Sequence, residues 1–364
     1  MPTAGMKGLI LAAGHGTRLR PITSLRPKPT ISVANKQLIH YAVDNLVEAG
    51  VRQIGIVVSH DTINYLKKSL SDYQGNGEGP TFEYIIQSPP RGLAHAVKVS
   101  RDFLGDDPFV MYLGDNLFEH GIRGFVEAYR PEEGINSVLA LVRVEDPRQF
   151  GVAIVEDGRV KRLVEKPQDP PSDLAIAGVY VFDANIHRMI EGLEPGAKDE
   201  YQITDAIQKL IEAGFQVASV EVPGWWKDTG RPEDILDANR LQLMRVRREV
   251  RGTIEDSEVE GEVVIEEGAT VTGSRIEGPA LIGAGARVER AHIGPFTTIG
   301  DQSTIRDSRL EYAVVGAGST IDGVASPLRD SLIGEEVSII GENGSKGAHR
   351  LIVGDKSKLK LNES

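Results

Sequence analysis

The stretch Leu11-Ala12-Ala13-Gly14-His15-Gly16-Thr17-Arg18-Leu19-Arg20-Pro21, followed by Arg26-Pro27-Lys28-Pro29, continues a short apolar run that begins at Gly8. An apolar run that closes on glycines reads as a buried strand entering a turn. Glycines at that point let backbone N–H groups approach a phosphate chain with no Cβ in the way. The string is not a dinucleotide fingerprint, because Leu19 stands where the third glycine would be. Nor is it a Walker loop, because no Gly-Lys-Ser/Thr follows. Arg18 and Lys28 add two cations, suited to a triphosphate.

The surrounding charge supports an anion site. The chain has 364 residues and a net charge of −12, from 41 Lys+Arg against 53 Asp+Glu. Such an acidic chain is a poor candidate for nonspecific binding to nucleic acid or an anionic membrane. Yet the first 43 residues carry Lys7, Arg18, Arg20, Arg26, Lys28 and Lys36 and no acidic residue. Cysteine is absent, which removes disulfides, zinc-thiolate sites and cysteine nucleophiles. No apolar run approaches the roughly 20 residues of a membrane helix, and Met1 to Lys7 does not resemble a signal peptide. Cytoplasm is the expected location.

Beyond the loop, strand-like and helix-like segments alternate. Leu38 to Ala49 has helical spacing and stops at Gly50. Gln53–Val58, Phe82–Gln87 and Phe109–Leu113 read as strands, with a helix-like stretch from Leu93 to Phe103. This alternation predicts an α/β domain with a Rossmann-like, mostly parallel sheet covered on both faces. Ligands of such sheets sit beyond the carboxyl ends of the strands, where Gly14, Gln87 and Asp115 should converge.

Near residue 252 the pattern changes. From Thr253 to about Gly341 an aliphatic residue recurs in steps of about six, as at Val271, Ile276, Ile282, Val288, Ile293, Ile299, Ile305 and Leu310. That is the hexapeptide repeat of a left-handed parallel β-helix, three steps to a triangular turn, about five turns in all. Leu236 to Arg251 reads as a connecting helix. The expected division is residues 6–235, a linker helix over 236–252, the β-helix over 253–354 and a tail over 355–364.

The loop resembles the signature of the sugar-phosphate nucleotidyltransferases. Further matches follow in order: Gln87-Ser88-Pro89-Pro90-Arg91-Gly92-Leu93-Ala94-His95-Ala96, Leu113-Gly114-Asp115-Asn116, Glu165-Lys166-Pro167, Ala177-Gly178-Val179-Tyr180, Glu200 to Asp205, and Trp226-Lys227-Asp228-Thr229-Gly230. Within that family the pattern is most similar to the glucose-1-phosphate thymidylyltransferases in their long form, which carry a C-terminal β-helix. The resemblance implies dTTP and glucose 1-phosphate as substrates. It also implies Mg²⁺ held by Asp115 and Asp228. Arg18 and Lys28 are the implied catalytic cations. Nucleotide contacts fall to Leu11, Ala13, Gly14, Gly16, Thr17, Arg18, Gln87, Pro90, Gly92 and Asp115. The sugar phosphate falls to Gly151, Glu165, Lys166, Gly178 and Tyr180.

Chemistry supports those roles. The attacking sugar-phosphate oxygen is already an anion, so the reaction needs no base. It needs two anions held together and new charge neutralised. Mg²⁺ takes one or two carboxylates plus phosphate oxygens. Gln87 can both donate to and accept from the edge of a pyrimidine, and Gly92 can offer its backbone. Thymine and uracil share that edge, so dTTP is expected to be preferred and UTP partly accepted. Ala13, where many short-form thymidylyltransferases have glycine and several UTP and ATP enzymes have alanine, keeps UTP open. His15 reads as a solvent-facing loop residue and His95 as a packing residue. A second, acyl-transfer activity using His292 or His349 and a noncatalytic role are the rival readings. Flat β-helix faces favour a homo-oligomer, trimer or tetramer.

Overall fold

Alternating inward and outward side chains on consecutive strands build one nine-stranded sheet. The structure is a computed structural model and describes residues 5–14, 16–71, 73, 79–196, 199–342 and 348–362, so the reading of His15 falls outside the described residues. The strands are β1 (Lys7–Leu11), β2 (Gln53–Val58), β3 (Thr81–Ile86), β4 (Phe109–Leu113), β5 (Ile135–Arg143), β6 (Gly151–Glu156), β7 (Arg159–Glu165), β8 (Leu174–Phe182) and β9 (Gln216–Glu221). Their spatial order is β3-β2-β1-β4-β8-β5-β9-β7-β6. The four strands β3, β2, β1 and β4 are parallel, as the alternation implies. Beyond β4 the sheet is mixed: β8 runs antiparallel to β4 and β5, and β6 and β7 form an antiparallel pair.

The pleat sorts the apolar residues into two cores. Ile10, Ile54, Ile56, Val110 and Tyr112 lie on one face, packed with Ile39, Ala42, Val43 and Leu46 of helix α1 (Leu38–Glu48). Leu9, Val57, Phe109 and Met111 lie on the other. There they meet Ala94, Ala96 and Val97 of α2 (Leu93–Val99), and Ile203, Ala206, Ile207 and Leu210 of α3 (Ile203–Glu212). The helix expected from Leu93 to Phe103 is interrupted at Ser100, whose hydroxyl bonds the Ala96 carbonyl at 2.7 Å.

The second compact unit is a parallel β-helix. One column of paired residues runs Ile254, Val271, Val288, Ile305, Ile321, Ile339 and Leu359. A second runs Ile265, Ile282, Ile299, Val315, Ile333 and Val353, and a third Val259, Ile276, Ile293, Leu310 and Leu328. These side chains fill a continuous aliphatic core. Successive coils are commonly 17 residues apart, one short of three six-residue steps.

Two boundaries differ from the expectation. The linker helix α4 spans Pro232–Leu243, because Pro232 is preorganised for a first helical turn and Asp234 caps the Arg231 N–H at 2.7 Å. The expected tail contains a strand, Lys358–Asn362, paired along its length with Ser338–Glu342, so that Leu359 and Leu361 extend the core. The first of the three columns therefore has seven members rather than about five. A third difference concerns the loop: His15–Gln37 forms one compact unit with Thr229–Ser364, and Met1–Gly14 forms the other with Leu38–Asp228.

The sheet unit contains one buried group whose charge must be excluded. His187 is 6% exposed and stacks on Phe109 at 5.8 Å. Burial pulls its pKa down from 6.5 to about 4, helped by the nearby Arg101 charge. The unfolded chain takes up that proton near pH 6.5 and the folded chain only near 4. Stability contributed by neutral His187 is therefore fully present above pH 6.5 and is lost as pH falls towards 4. The urea midpoint should drop across that window, and His187→Phe should flatten the slope. An equal slope in the variant would show that other groups control it.

Candidate active site

Parallel strands bring their carboxyl ends to one edge; Gln87 follows directly on one of them, and Gly14 and Asp115 lie within three residues of the ends of two others. Gln87 ends β3, with its N–H on the Val58 carbonyl at 2.8 Å. The Ala12 N–H meets the Val57 carbonyl at 2.9 Å, and Gly114 N–H meets the Leu11 carbonyl at 3.1 Å. Leu11 is half-buried, Ala13 buried and Gly14 exposed at this edge.

The two aspartates are set by backbone pairing. Asn116–Phe118 and Trp226–Asp228 form a two-stranded antiparallel ribbon in which Asp228 is opposite Asn116. Asp115 immediately precedes that pair. The Asn116 amide donates to Asp115 Oδ1 at 2.8 Å and accepts from Trp226 Nε1 at 2.7 Å. Asn116 thus fixes the rotamer of one carboxylate while pairing with the strand that carries the other. Both aspartates are half-buried. Among the described residues no group of three or more His, Asp or Glu could hold a metal. Two carboxylates fit Mg²⁺, which takes one or two carboxylates and keeps water or phosphate oxygens in its remaining positions.

The segment expected to read the base is more constrained than its sequence suggests. The Gln87 side chain is 4% exposed, and its Nε2 lies 3.0 Å from the Gly92 carbonyl and 3.1 Å from His95 Nδ1. A carbonyl only accepts, so the atom facing Gly92 is the amide nitrogen. Both its hydrogens are then committed, and the expectation that Gln87 also donates to a base is corrected. The remaining polar atom of the amide is Oε1. His95 is likewise more than packing. Burial, Arg91 and Lys98 push its pKa down, which favours the neutral ring, and the Gln87 NH2 facing Nδ1 selects the tautomer in which Nδ1 accepts. The ring stacks on Tyr201 at 6.2 Å. Gly92 begins α2 at φ +91°, and a Cβ there would collide with the Tyr201 backbone, so glycine is required. Pro90 is exposed beside it.

The expected sugar-phosphate residues form a second spot in the same unit. Gly151 pairs with Glu165 across β6 and β7. Glu165 Oε2 accepts from Thr204 Oγ1 at 3.1 Å, and Glu165 Oε1 lies 2.9 Å from Lys166 Nζ. Lys166 adopts φ +42°, unusual for a side-chain-bearing residue, with its N–H on the Phe150 carbonyl at 3.0 Å. Phe150 packs edge-on against Trp226 at 5.6 Å, which makes this spot contiguous with the aspartate ribbon. Gly178 lies against Asn116, where a Cβ would crowd the amide at 2.8 Å. Tyr180 is 4% exposed, and burial with the nearby Glu165 charge raises its pKa. Its ring stacks on Phe182, so it backs the spot from within the core and does not line it. Asn116, Trp226, Thr204 and His95 all fall inside quoted motifs, yet only their three-dimensional partners reveal what they do.

The cationic loop belongs to the β-helix unit. Gly16, at φ +59°, starts a short helical turn at Thr17–Leu19, and its carbonyl accepts from Thr23 Oγ1 at 2.8 Å. Leu19 is fully buried and anchors the turn, which leaves Thr17 and Arg18 exposed. The Arg18 guanidinium lies along the Gly230 backbone, 3.4 Å from where a Cβ would be. Lys28 opens the next helical turn and is 7% exposed.

Comparison with known proteins identifies the family. Residues 7–244 match the nucleotidyl transferase family. The chain is 45% identical over 361 residues to the low-salt glycan biosynthesis nucleotidyltransferase Agl11 of Haloferax volcanii, covering 98% of this chain and all of that one. It is 43% identical over 358 residues to the glucose-1-phosphate thymidylyltransferase of Streptomyces antibioticus, covering 98% and 99%. A crystal structure of UDP-glucose pyrophosphorylase with UDP-glucose superposes with a TM-score of 0.59 at 29% identity, over 66% of this chain and 99% of that one. With a matching family pattern and full-length relatives on both sides, the chain belongs to the nucleotidyl transferase family, as a sugar-phosphate nucleotidyltransferase of the long form with a C-terminal β-helix.

Proposed function

We propose that the chain makes dTDP-glucose and pyrophosphate from dTTP and α-D-glucose 1-phosphate. The observation that carries the nucleotide half of this reading is the locked Gln87 amide. Its Oε1 accepts the N3–H of thymine or uracil, and the Gly92 N–H donates to a neighbouring base carbonyl. Cytosine carries a lone pair at N3 and would meet Oε1 with repulsion. Thymine and uracil differ by one methyl, worth about 1–3 kcal/mol in an apolar pocket. A full-length relative named as a thymidylyltransferase favours dTTP.

In this reading the sugar-phosphate oxygen attacks the α-phosphorus in line, the bridging bond to the β-phosphate breaks, and pyrophosphate leaves with its charge. Lys166 trades its Glu165 partner for the phosphate of the incoming sugar, while Glu165, held by Thr204, accepts from sugar hydroxyls. Arg18 lies along the triphosphate and stabilises charge on the equatorial oxygens. Lys28 holds the phosphates that become pyrophosphate. Asp115 and Asp228 are the residues that would hold Mg²⁺, which supplies neutralisation between the phosphate groups. Association into a trimer or tetramer through β-helix faces is part of the same proposal.

Pyrophosphate release with Mg²⁺ and glucose 1-phosphate, run in parallel with dTTP, UTP, ATP, GTP and CTP, tests the substrates. The expected order is dTTP first, UTP lower by about ten-fold, and CTP near background. UTP equal to dTTP would move the protein to the uridylyl reading, and silence with all five would end the nucleotide assignment.

Asp115→Asn and Asp228→Asn should each lower turnover by at least about 100-fold while nucleotide still binds. Near-normal turnover in saturating Mg²⁺ would show that the metal pair is misassigned. His95→Phe keeps a ring on Tyr201 and removes the acceptor that orients Gln87. It should raise the KM for dTTP about 3–10-fold, the worth of one hydrogen bond, and erode the preference over CTP. An unchanged nucleotide profile would mean that Gln87 is oriented without His95.

A further inference from the structure

The loop that carries Arg18 and Lys28 contains a third arginine, and the side chain of this one is largely withdrawn from water. Arg26 has a side chain only 10% exposed. Its Nη2 sits 2.5 Å from Glu335 Oε1, and its Nε lies 3.7 Å from Asp355 Oδ2 and 3.4 Å from Thr30 Oγ1. Thr30 Oγ1 in turn donates to the Pro27 carbonyl at 2.8 Å, and Ile31 N–H bonds the Lys28 carbonyl at 3.0 Å. The guanidinium is thus wired to the turn that begins at Lys28.

The two carboxylates come from successive β-helix coils at equivalent corners, each after a glycine (Gly334-Glu335 and Gly354-Asp355). Asp355 has a side chain 8% exposed, and its Oδ1 accepts the Glu335 N–H at 2.9 Å. Asp301 makes the same kind of corner bond earlier in the β-helix, to the Ala284 N–H at 3.0 Å. Asp355 therefore uses one oxygen as an ordinary corner brace and turns the other to Arg26. Gly354 packs against Pro21, where a Cβ would lie 3.1 Å from the Pro21 carbonyl carbon, so the backbone of the last coil touches the start of the same loop.

A buried guanidinium must be paired, because leaving it unpaired is far costlier than the pair is stabilising. We propose that Glu335 and Asp355 are positioning residues for nucleotidyl transfer. By pairing with Arg26 they hold the Pro21–Lys28 segment in its phosphate-binding conformation, so the last coils of the β-helix are required for nucleotide use and serve as more than a scaffold. This rests on the reading of Arg18 and Lys28 as phosphate-binding residues. Neither Glu335 nor Asp355 touches substrate; both act through Arg26.

The test uses the full-length chain with Glu335→Gln and Asp355→Asn together. The amides keep the shapes, and the amide oxygen placed at position 355 still accepts the backbone N–H of residue 335, so what is lost is the charge facing Arg26 and, at position 355, the acceptor that faced it. Asp301→Asn, which alters an equivalent corner away from Arg26, is the control for a purely structural effect. Calorimetric binding of inorganic pyrophosphate with Mg²⁺ is measured beside steady-state kinetics. The double variant should bind pyrophosphate roughly 10–100-fold more weakly and show a KM for nucleotide raised by a similar factor, with the KM for sugar phosphate unchanged. Combining Glu335→Gln with Asp355→Glu instead should restore part of the loss, and Asp301→Asn should leave both constants unchanged. Unmodified protein that binds pyrophosphate and a double variant that binds it equally well would overturn the positioning role alone. Equal losses in Asp301→Asn would overturn it too, by showing general β-helix damage. Unmodified protein that fails to bind pyrophosphate would overturn the phosphate-loop reading and this proposal with it.

Discussion

The proposed sharing of one cation by Asp115 and Asp228 would set two like charges side by side until it arrived, and a chain can hold such a pair only by something stiffer than side-chain contact. Here that constraint is the backbone ribbon Asn116–Phe118 with Trp226–Asp228. Its register fixes Asp228 opposite Asn116, and a one-residue slip would turn the aspartate to the other side. Trp226 and Asn116 then tie the two strands together and, through Phe150, tie the ribbon to the Glu165–Lys166 spot. The placing of both aspartates on this unit depends on that short pairing.

The parallel half of the sheet is legible because its signal is local. Gly8–Leu11, Gln53–Val58 and Phe109–Leu113 are apolar runs that end at turn residues, and each has its own boundary marks. The β-helix is legible for the same reason, since each six-residue step repeats the inward aliphatic. The antiparallel strands beyond Ile135 leave no such mark. β8 is buried on both faces, so its sequence resembles that of a parallel strand, and only its partners decide its direction. The strand Lys358–Asn362 escapes the sequence reading because alternating lysines look like a solvated tail, whereas Leu359 and Leu361 between them pack on the core.

The site is legible as motifs and illegible as geometry. Gln87 and Gly92 can be named from sequence, but not that one bonds the carbonyl of the other. A glutamine amide presents either end until its neighbours choose, and here the Gly92 carbonyl and His95 Nδ1 choose. Tyr180 can be placed in a motif, but its burial cannot be read from sequence, because tyrosine is common at both pocket walls and cores. The membership of His15–Gln37 in the β-helix unit is likewise a long-range fact. No local pattern around Arg26 announces that its carboxylate partner Glu335 lies 309 residues later.

Burial, rather than the number of ion pairs, separates the charges that matter. The outer face of the β-helix carries a ladder of them: Arg275 with Glu258, Glu260 and Glu277, Arg290 with Asp307, and Arg306 with Glu289 and Asp322. These side chains are between 30% and 70% exposed, so water screens each pair and each contributes little. What holds the coils together is the stacked aliphatic core, in which Val271, Ile276, Val288, Ile293 and Ile305 are fully buried. Arg26 makes the same kind of contact with a side chain 10% exposed and with one partner, Asp355, 8% exposed, where water replaces a lost partner far less readily. The same kind of pair that is incidental on the outer face therefore becomes, within the cationic loop, a condition on the loop's shape.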